Sequence, residues 1–175
     1  MVNLGESKNL LKTPDFKMAP NLESLVLEGC TRLVQVHPSI GALTKLKLLN
    51  LRGCKNLRSL PTKIGMESLE TLILSGCSKL KRFPEIDGEM ECLLELYLDG
   101  TGIEELPSSI GGCKSLRIVK LSGCSKLENL PETLQQSEFL EKLDLSETAV
   151  TKPPSFIFQL KSLKVLSFKG QIPGL

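Results

Sequence analysis

Aromatic residues are scarce in this chain. They make up 4% of its 175 residues, and tryptophan is missing altogether. A globular enzyme usually fills its core with larger rings, so this composition favours a core of small aliphatic layers and a module that is not an enzyme. No apolar run approaches the roughly 18 residues that a membrane-spanning helix requires. The sequence therefore predicts no membrane partner.

Secretory signals are also missing. Glu6, Lys8 and Lys12 lie where a signal peptide would have an apolar block. The sequence contains no Asn-X-Ser/Thr acceptor for N-glycosylation. Together these absences predict a cytoplasmic protein, or a nuclear one.

A strong charge of one sign is absent as well. The formal net charge is +2, with acidic and basic residues interspersed. This balance argues against nucleic acid as the main partner. The single histidine, His37, precedes Pro38 with no second ligand type recurring near it. We therefore expect no metal site, no cofactor and no catalytic residue.

Six cysteines are present, and four of them recur at one position of a repeated motif. Equivalent side chains in a stack of repeats run parallel to each other, which does not suit a disulfide. A linear column also cannot converge on a tetrahedral metal centre. We expect free thiols that serve as small packing residues, at Cys30, Cys54, Cys77 and Cys124.

The motif itself is a leucine-rich repeat of 23 to 24 residues. Six segments agree in the positions of leucine and of cysteine or threonine, and LKVLSFKG opens a seventh segment at Leu163. A period in this range is typical of stacked units that bury an apolar face only against their neighbours. The six segments are LESLVLEGCTRLVQVHP, LKLLNLRGCKNLRSLP, LETLILSGCSKLKRFP, LLELYLDGTGIEELP, LRIVKLSGCSKLENLP and LEKLDLSETAVTKPP.

The pattern LxxLxL predicts a strand with one buried side. Leu49 and Leu51 are two residues apart, so they point to the same side, while Leu48, Asn50 and Arg52 point to the other. Stacking such strands in parallel, about 4.8 Å apart, forms leucine columns in the interior. The predicted columns are Leu22/Leu46/Leu69/Leu93/Leu116/Leu140/Leu163, Leu25/Leu49/Leu72/Leu96/Val119/Leu143/Leu166 and Leu27/Leu51/Leu74/Leu98/Leu121/Leu145/Phe168.

Each strand is followed by a corner and then by a return arm, the segment that carries the chain back across the stack. The corner holds glycine and then cysteine or threonine, whose side chain is expected to satisfy backbone carbonyls. Proline in most return arms, as in Leu60-Pro61, disfavours a long helix. The repeats with Thr101 and Thr148 have a return arm one residue shorter, where we expect irregular curvature.

These features predict one domain, an α/β-type solenoid of leucine-rich repeats over residues 1–175. The expected form is a curved right-handed coil with a parallel sheet on the concave side and loops or short 3₁₀ turns on the convex side. Residues 1–21 form a truncated first repeat, 22–162 six repeats, and 163–175 an incomplete last repeat. We expect the chain to be a fragment or a shortened form of a larger protein.

Any function is expected on the strand residues that point away from the core. These positions vary between repeats while the core positions do not, as in a fixed scaffold with a variable recognition surface. Exposed apolar and aromatic side chains among them are typical of an interface, and a merely solvated face is the alternative. The candidate protein-binding residues are Val26, Asn50, Arg52, Ile73, Tyr97, Asp99, Lys120 and Asp144.

Several longer phrases carry a family resemblance. TPDF, EGC and VHPSIG, the recurring LSGCSKL, and TGIEELPSSIG closely resemble the leucine-rich-repeat region of plant TIR-NB-LRR disease-resistance proteins of the tobacco mosaic virus resistance protein N type. In that family the region recognises pathogen effectors, directly or through guarded host proteins. It also holds the receptor inactive through contact with the nucleotide-binding domain.

The resemblance implies a protein-recognition and autoinhibitory module, but not every activity of the family applies to this chain. This chain has no phosphate-binding loop and no signalling domain, so nucleotide binding and NAD cleavage do not transfer to it. A general intracellular adaptor that binds a signalling protein such as a small GTPase is the alternative, although its repeats usually carry asparagine at the cysteine position. An extracellular receptor or inhibitor is disfavoured by the missing signal peptide and glycosylation sites.

Overall fold

The computed structural model describes residues 1–88 and 90–169 of the chain. Ten short strands are present in the described residues, and all but β4 and β6 form one parallel eight-stranded sheet, the large sheet. In chain order they are β1 (Val2–Asn3), β2 (Ser24–Val26), β3 (Leu48–Asn50), β4 (Lys63–Ile64), β5 (Thr71–Ile73), β6 (Glu85–Ile86), β7 (Glu95–Tyr97), β8 (Ile118–Lys120), β9 (Lys142–Asp144) and β10 (Val165–Ser167).

The strands of the large sheet pair in the register that the leucine pattern predicts. Leu25 lies beside Leu49, Leu49 beside Leu72, and Leu72 beside Leu96. Each central residue from Leu25 to Leu143 is buried between two more exposed neighbours. The predicted solenoid with its leucine core is thus confirmed.

The last repeat is less buried than predicted. Leu163, Leu166 and Phe168 are only partly buried, although they continue the three core columns. Among the described residues β10 pairs only with β9, so no further layer covers it. Residues 170–175 of the predicted last repeat lie outside the described residues.

The corner cysteines connect successive repeats. Each thiol donates to the carbonyl at the end of the preceding repeat's strand segment, over 3.0 to 3.2 Å. Each of these carbonyls also accepts a backbone N–H of its own corner, so the thiol adds a second hydrogen bond that links one repeat to the next. The pairs are Cys30 with Leu4, Cys54 with Leu27, Cys77 with Leu51 and Cys124 with Leu98.

The two corner threonines behave differently from each other. Thr101 is buried and its hydroxyl lies 3.2 Å from the Cys124 sulfur, so it remains part of the column. Thr148 instead donates to the carbonyl of Leu145 in its own repeat, at 2.7 Å. The irregular curvature expected at both repeats stays a prediction, and the observed difference is the hydrogen bond of Thr148 within its own repeat.

The convex side departs from the prediction in two repeats. Four repeats have 3₁₀ helices there, as expected: Pro38–Ala42, Ser108–Gly112, Glu132–Gln136 and Ile157–Gln159. In the other two, β4 and β6 pair in parallel as a small second sheet. The spacing of the apolar residues differs in these two repeats. Ile110 and Cys113 are three residues apart, one 3₁₀ turn, whereas Ile64 and Met66 are two apart and Ile86 and Met90 are four apart.

Candidate functional site

The outward side chains of the large sheet form the candidate site, which we call the concave face. Each strand contributes two outward residues, and the residue after its last core position contributes a third. The large sheet is parallel and in register, so equivalent residues of successive repeats lie side by side. At strand spacing, neighbours in one column are about 4.8 Å apart.

All eight predicted binding residues lie on this face. Arg52 and Lys120 are exposed, while the other six are partly buried by their neighbours. None of the eight belongs to the buried core. The predicted placement is therefore observed, and the binding role stays a prediction for Val26, Asn50, Arg52, Ile73, Tyr97, Asp99, Lys120 and Asp144.

Tyr97 lies at the centre of the face, on β7. It pairs in register with Ile73 on one side and Lys120 on the other. The Lys120 ammonium lies 5.6 Å from the centroid of the ring, within range of a cation–π contact. Partial burial, followed by the nearby Glu95 carboxylate, raises the pKa of the Tyr97 phenol. The phenol therefore stays neutral and presents both a donor and an acceptor.

Two further apolar residues enlarge the patch around Tyr97. Leu48 on β3 and Ile118 on β8 are half-buried and belong to the first outward column. Ile118 pairs with Glu95, two residues before Tyr97 on the same strand. The strand pattern already placed Leu48 on the outward side, but neither residue was among the predicted binding residues. We call Leu48, Ile73, Tyr97 and Ile118 the apolar patch.

Asn50 and Asp144 already have a structural role. The Asn50 side-chain oxygen accepts a hydrogen bond from the backbone N–H two residues later, at 2.9 Å. Asp144 accepts in the same way from the Ser146 backbone at 3.0 Å, and from the Ser146 hydroxyl at 2.6 Å. Such turns satisfy the backbone where a strand ends. Replacing either residue would therefore alter the corner as well as the surface.

The remaining charged candidates are partnered within the face. Asp99 accepts a hydrogen bond from the Ser75 hydroxyl at 2.7 Å. Arg52 lies 4.0 Å from Glu28, an exposed ion pair of the kind worth about 0–1 kcal/mol. Such weak pairs exchange readily for contacts with a partner. The side chains of Leu48, Ile73 and Ile118 would displace only water on contact.

In the described residues, no group of three or more His, Cys, Asp or Glu side chains is placed to hold a metal ion. His37 instead caps the 3₁₀ helix Pro38–Ala42, accepting from the Ser39 backbone at 3.0 Å. No helix in the described part of the chain is long and apolar enough to cross a membrane.

Comparison with known proteins identifies the type of repeat. The family described as "Disease resistance protein RPS4B-like, leucine-rich repeats" matches residues 65–140, which is less than half of the chain. Disease resistance protein RUN1 of Vitis rotundifolia is 45% identical over 45 residues, 26% of this chain and 3% of the relative. TMV resistance protein N of Nicotiana glutinosa is 44% identical over 45 residues, 26% of this chain and 4% of the relative.

The matched segments are thus a small part of much longer proteins. Among solved structures, the leucine-rich repeat domain of the type III effector XopL covers 95% of this chain and 74% of its own, with a TM-score of 0.51. Its sequence identity is 23%, so this likeness concerns the fold alone. The sequence matches support repeats similar to those of plant disease-resistance proteins.

Proposed function

We propose that this chain, whose repeats are similar to the leucine-rich repeats of plant disease-resistance proteins, is the protein-recognition module of an intracellular immune receptor. Leucine-rich repeats are in general interaction modules without catalysis of their own. Recognition, and not chemistry, is then the role of these residues. The partner is a pathogen effector or a guarded host protein.

The apolar patch on the concave face is the observation that carries this proposal. Ile73 and Tyr97 lie side by side, with Lys120 on the next strand. An aromatic residue with a polar tip, near the centre of a patch that charged groups surround, has the composition of a binding hot spot. A merely solvated face would not need an apolar centre.

We further propose that the same face takes part in autoinhibition. In the resting receptor it would contact the receptor's own nucleotide-binding domain, and an effector or guarded protein would compete for that surface. If both partners compete for one surface, binding of the effector or guarded protein releases the nucleotide-binding domain from it, and no chemical reaction in the repeats is needed. The partners are therefore proteins in both states, in the cytoplasm or nucleus, with no nucleic acid, membrane, metal or cofactor involved.

The double variant Tyr97→Ala/Lys120→Glu tests this function in a complete receptor that carries these repeats. We expect it to lose effector-triggered cell death or to trigger cell death without an effector. Truncating the aromatic anchor removes a large contact, and reversing the charge repels the former partner. The melting temperature should stay within a few degrees, because neither side chain is in the core.

The matched control is Lys63→Glu/Glu132→Ala, which changes two exposed residues on the convex side. The control should leave resting and triggered cell death as in the parent receptor. If the convex variant alters either response while the concave variant alters neither, the concave face is not the recognition surface.

A further inference from the structure

A groove opens on the flank of the solenoid, away from the concave face. It has a volume of about 1010 Å³ and is walled by residues 58–62, 78–79 and 81–85 together with Glu105 and Pro107. All of these residues lie in corners and return arms. We call this feature the flank groove.

The groove exists because the return arms separate here. Nearer the N-terminus they are bridged in parallel, from Lys12 to Gln35 and from Gln35 to Ser59. Among the described residues the bridging stops at Ser59, and the backbones meet again where Glu85 donates to Thr62 at 2.9 Å. Pro61 and Pro84 lie in this interval and have no N–H to continue the ladder.

The balance of charge reverses along this flank, from mainly basic to mainly acidic. Arg58, Lys81 and Arg82 are exposed at the flank groove. The next two return arms carry exposed glutamates at the corresponding positions, and these line an adjoining cavity of about 580 Å³. Glu105 belongs to both cavities, so they form one continuous surface. The acidic residues are Glu104, Glu105 and Glu128, against one basic residue in that cavity, Lys126. The flank groove is mainly basic, with Lys79 as a fourth basic residue and Glu85 as an acidic one that accepts from the Ser109 hydroxyl.

The three basic residues Arg58, Lys81 and Arg82 and the three glutamates form no ion pairs with each other or with other described residues. Such pairs are present elsewhere, as between Lys164 and Glu141. Lys81 and Glu104 are neighbours, since the Glu104 backbone donates to the Lys81 carbonyl at 3.3 Å. The two blocks therefore adjoin without neutralising each other.

We propose that the flank groove docks an extended segment of a partner protein whose charge reverses along its length. Its acidic part would lie against Arg58, Lys81 and Arg82, and its basic part against the glutamates. The surface spans three repeat steps, roughly 15 Å at strand spacing, which corresponds to about five extended residues. The surface is independent of the proposed function of the concave face.

A nucleic acid fits this surface poorly. A phosphate backbone of that length would be attracted by the basic block but would continue over Glu104, Glu105 and Glu128, which repel it. A peptide can change the sign of its charge within one or two residues. The charge reversal in the groove thus favours a protein segment over a polyanion.

The test uses two labelled peptides with blocked ends and one composition. The first, Glu-Asp-Glu-Gly-Lys-Arg-Lys, has its charges in two blocks, and the second, Glu-Lys-Asp-Gly-Arg-Glu-Lys, has them mixed. In fluorescence anisotropy at low salt, we expect the block peptide to bind about tenfold more tightly than the mixed one, because only the block order places acidic residues against the basic block and basic residues against the three glutamates. Equal affinities would overturn the proposal, as would tighter binding of a single-stranded DNA of equal length.

Charge-reversal variants locate the binding. Arg58→Glu/Lys81→Glu/Arg82→Glu should weaken block-peptide binding about tenfold or more. Adding Glu104→Lys, Glu105→Lys and Glu128→Lys should restore it, because the peptide can then dock in the opposite direction. Folding damage from the first three changes would not be repaired by three more. Failure of the sixfold variant to bind would contradict the proposal.

Lys17→Glu/Lys45→Glu/Lys161→Glu is the matched control, with the same charge change at exposed residues outside the groove. We expect it to bind the block peptide as the parent does. An equal loss in this control would show that only overall charge matters. The concave variant Tyr97→Ala/Lys120→Glu should retain peptide binding, which keeps this test separate from that of the proposed function.

Discussion

At the scale of the residue, the corner of the sixth repeat has glutamate where the five repeats before it have glycine. The corner glycines have positive φ angles between 70 and 78°, a region that other residues rarely adopt. Glu147 occupies the equivalent corner before Thr148 and has a φ of 56°. The left-handed conformation costs a residue with a side chain about 1–2 kcal/mol. The corner of this repeat is therefore strained, and it is also the one whose threonine bonds within its own repeat.

Replacing Glu147 with glycine should raise the free energy of unfolding by up to about 1 kcal/mol. The relief of left-handed strain exceeds the extra backbone entropy that glycine loses on folding. A urea titration with an unchanged m-value would measure the gain. Glu138→Gly is the matched control, an exposed glutamate without positive φ, and should be destabilising. A loss of stability in both variants would refute the strain argument.

The corner thiols are built for packing and not for reactivity. Burial raises the pKa of the corner thiols Cys30 and Cys124 and, to about 12, that of Cys113, which lies in a return arm. A hydrogen bond with Cys77, with burial as the second cause, raises that of Cys54. The nucleophilic thiolate is therefore rare at these sites near neutral pH. Cys92 is the one exposed cysteine among the described residues.

At the scale of the element, each strand of the large sheet has one side buried in the core and one side on the concave face, where recognition is proposed. Leu72 is 1% exposed, and its neighbour Ile73 is half-buried on the concave face. The two residues are similar in size and adjacent on β5. Their difference in burial alone should therefore decide how much each contributes to folding.

Leu72→Ala should cost roughly 2–5 kcal/mol of unfolding free energy, because it leaves a cavity in the leucine column. Ile73→Ala should cost under about 1 kcal/mol, since its removal leaves no enclosed space. Denaturant titration of the two variants compares these values directly. Similar losses would show that the concave face is part of the folding core.

The strands could be predicted from sequence, whereas parts of the convex side were missed. Leucine at alternate positions fixes which side of a strand is buried, so the pairing of Leu49 with Leu72 followed from the repeat alone. In the repeats of β4 and β6 the spacing of the apolar residues differs by one from the three residues of a 3₁₀ turn, as between Ile64 and Met66. The prolines, which occur in both kinds of repeat, do not reveal this difference.

The position of the candidate site was predicted from the sequence. The roles of its side chains, and some of its members, were not. Alternation placed Tyr97 outward, and the structure agrees. It could not show that Asn50 and Asp144 close the turns after their strands, because that role depends on the backbone reaching the side chain. Leu48, which alternation also placed outward, and Ile118 were not among the predicted binding residues, although both are half-buried beside the apolar centre of the face.

For the whole molecule, stability should depend on position in the stack. Each repeat contacts only its neighbours, so a central strand such as β7 is held on both sides and β10, in the described part, on one. In such a linear array the end units open more readily than the middle. The partial burial of Leu166 beside the complete burial of Leu96 reflects the same difference.

The rates of native-state amide hydrogen exchange should therefore rise from the middle of the stack toward β10. We expect amides of β5 and β7 to exchange only near global unfolding and those of β10 to exchange at least about a hundredfold faster. Mass spectrometry of peptides from each repeat would measure these rates. Uniform protection from β2 to β10 would instead indicate a single cooperative unit.

The corner hydrogen bonds bear on how such a protein evolves. Each cysteine requires only a carbonyl at a fixed place in the repeat before it, whatever the other side chains there are. Any repeat that supplies this carbonyl can precede any repeat that supplies the thiol. Gene duplication or unequal recombination between repeats therefore joins compatible surfaces, and new combinations of outward residues arise without a new fold having to be found.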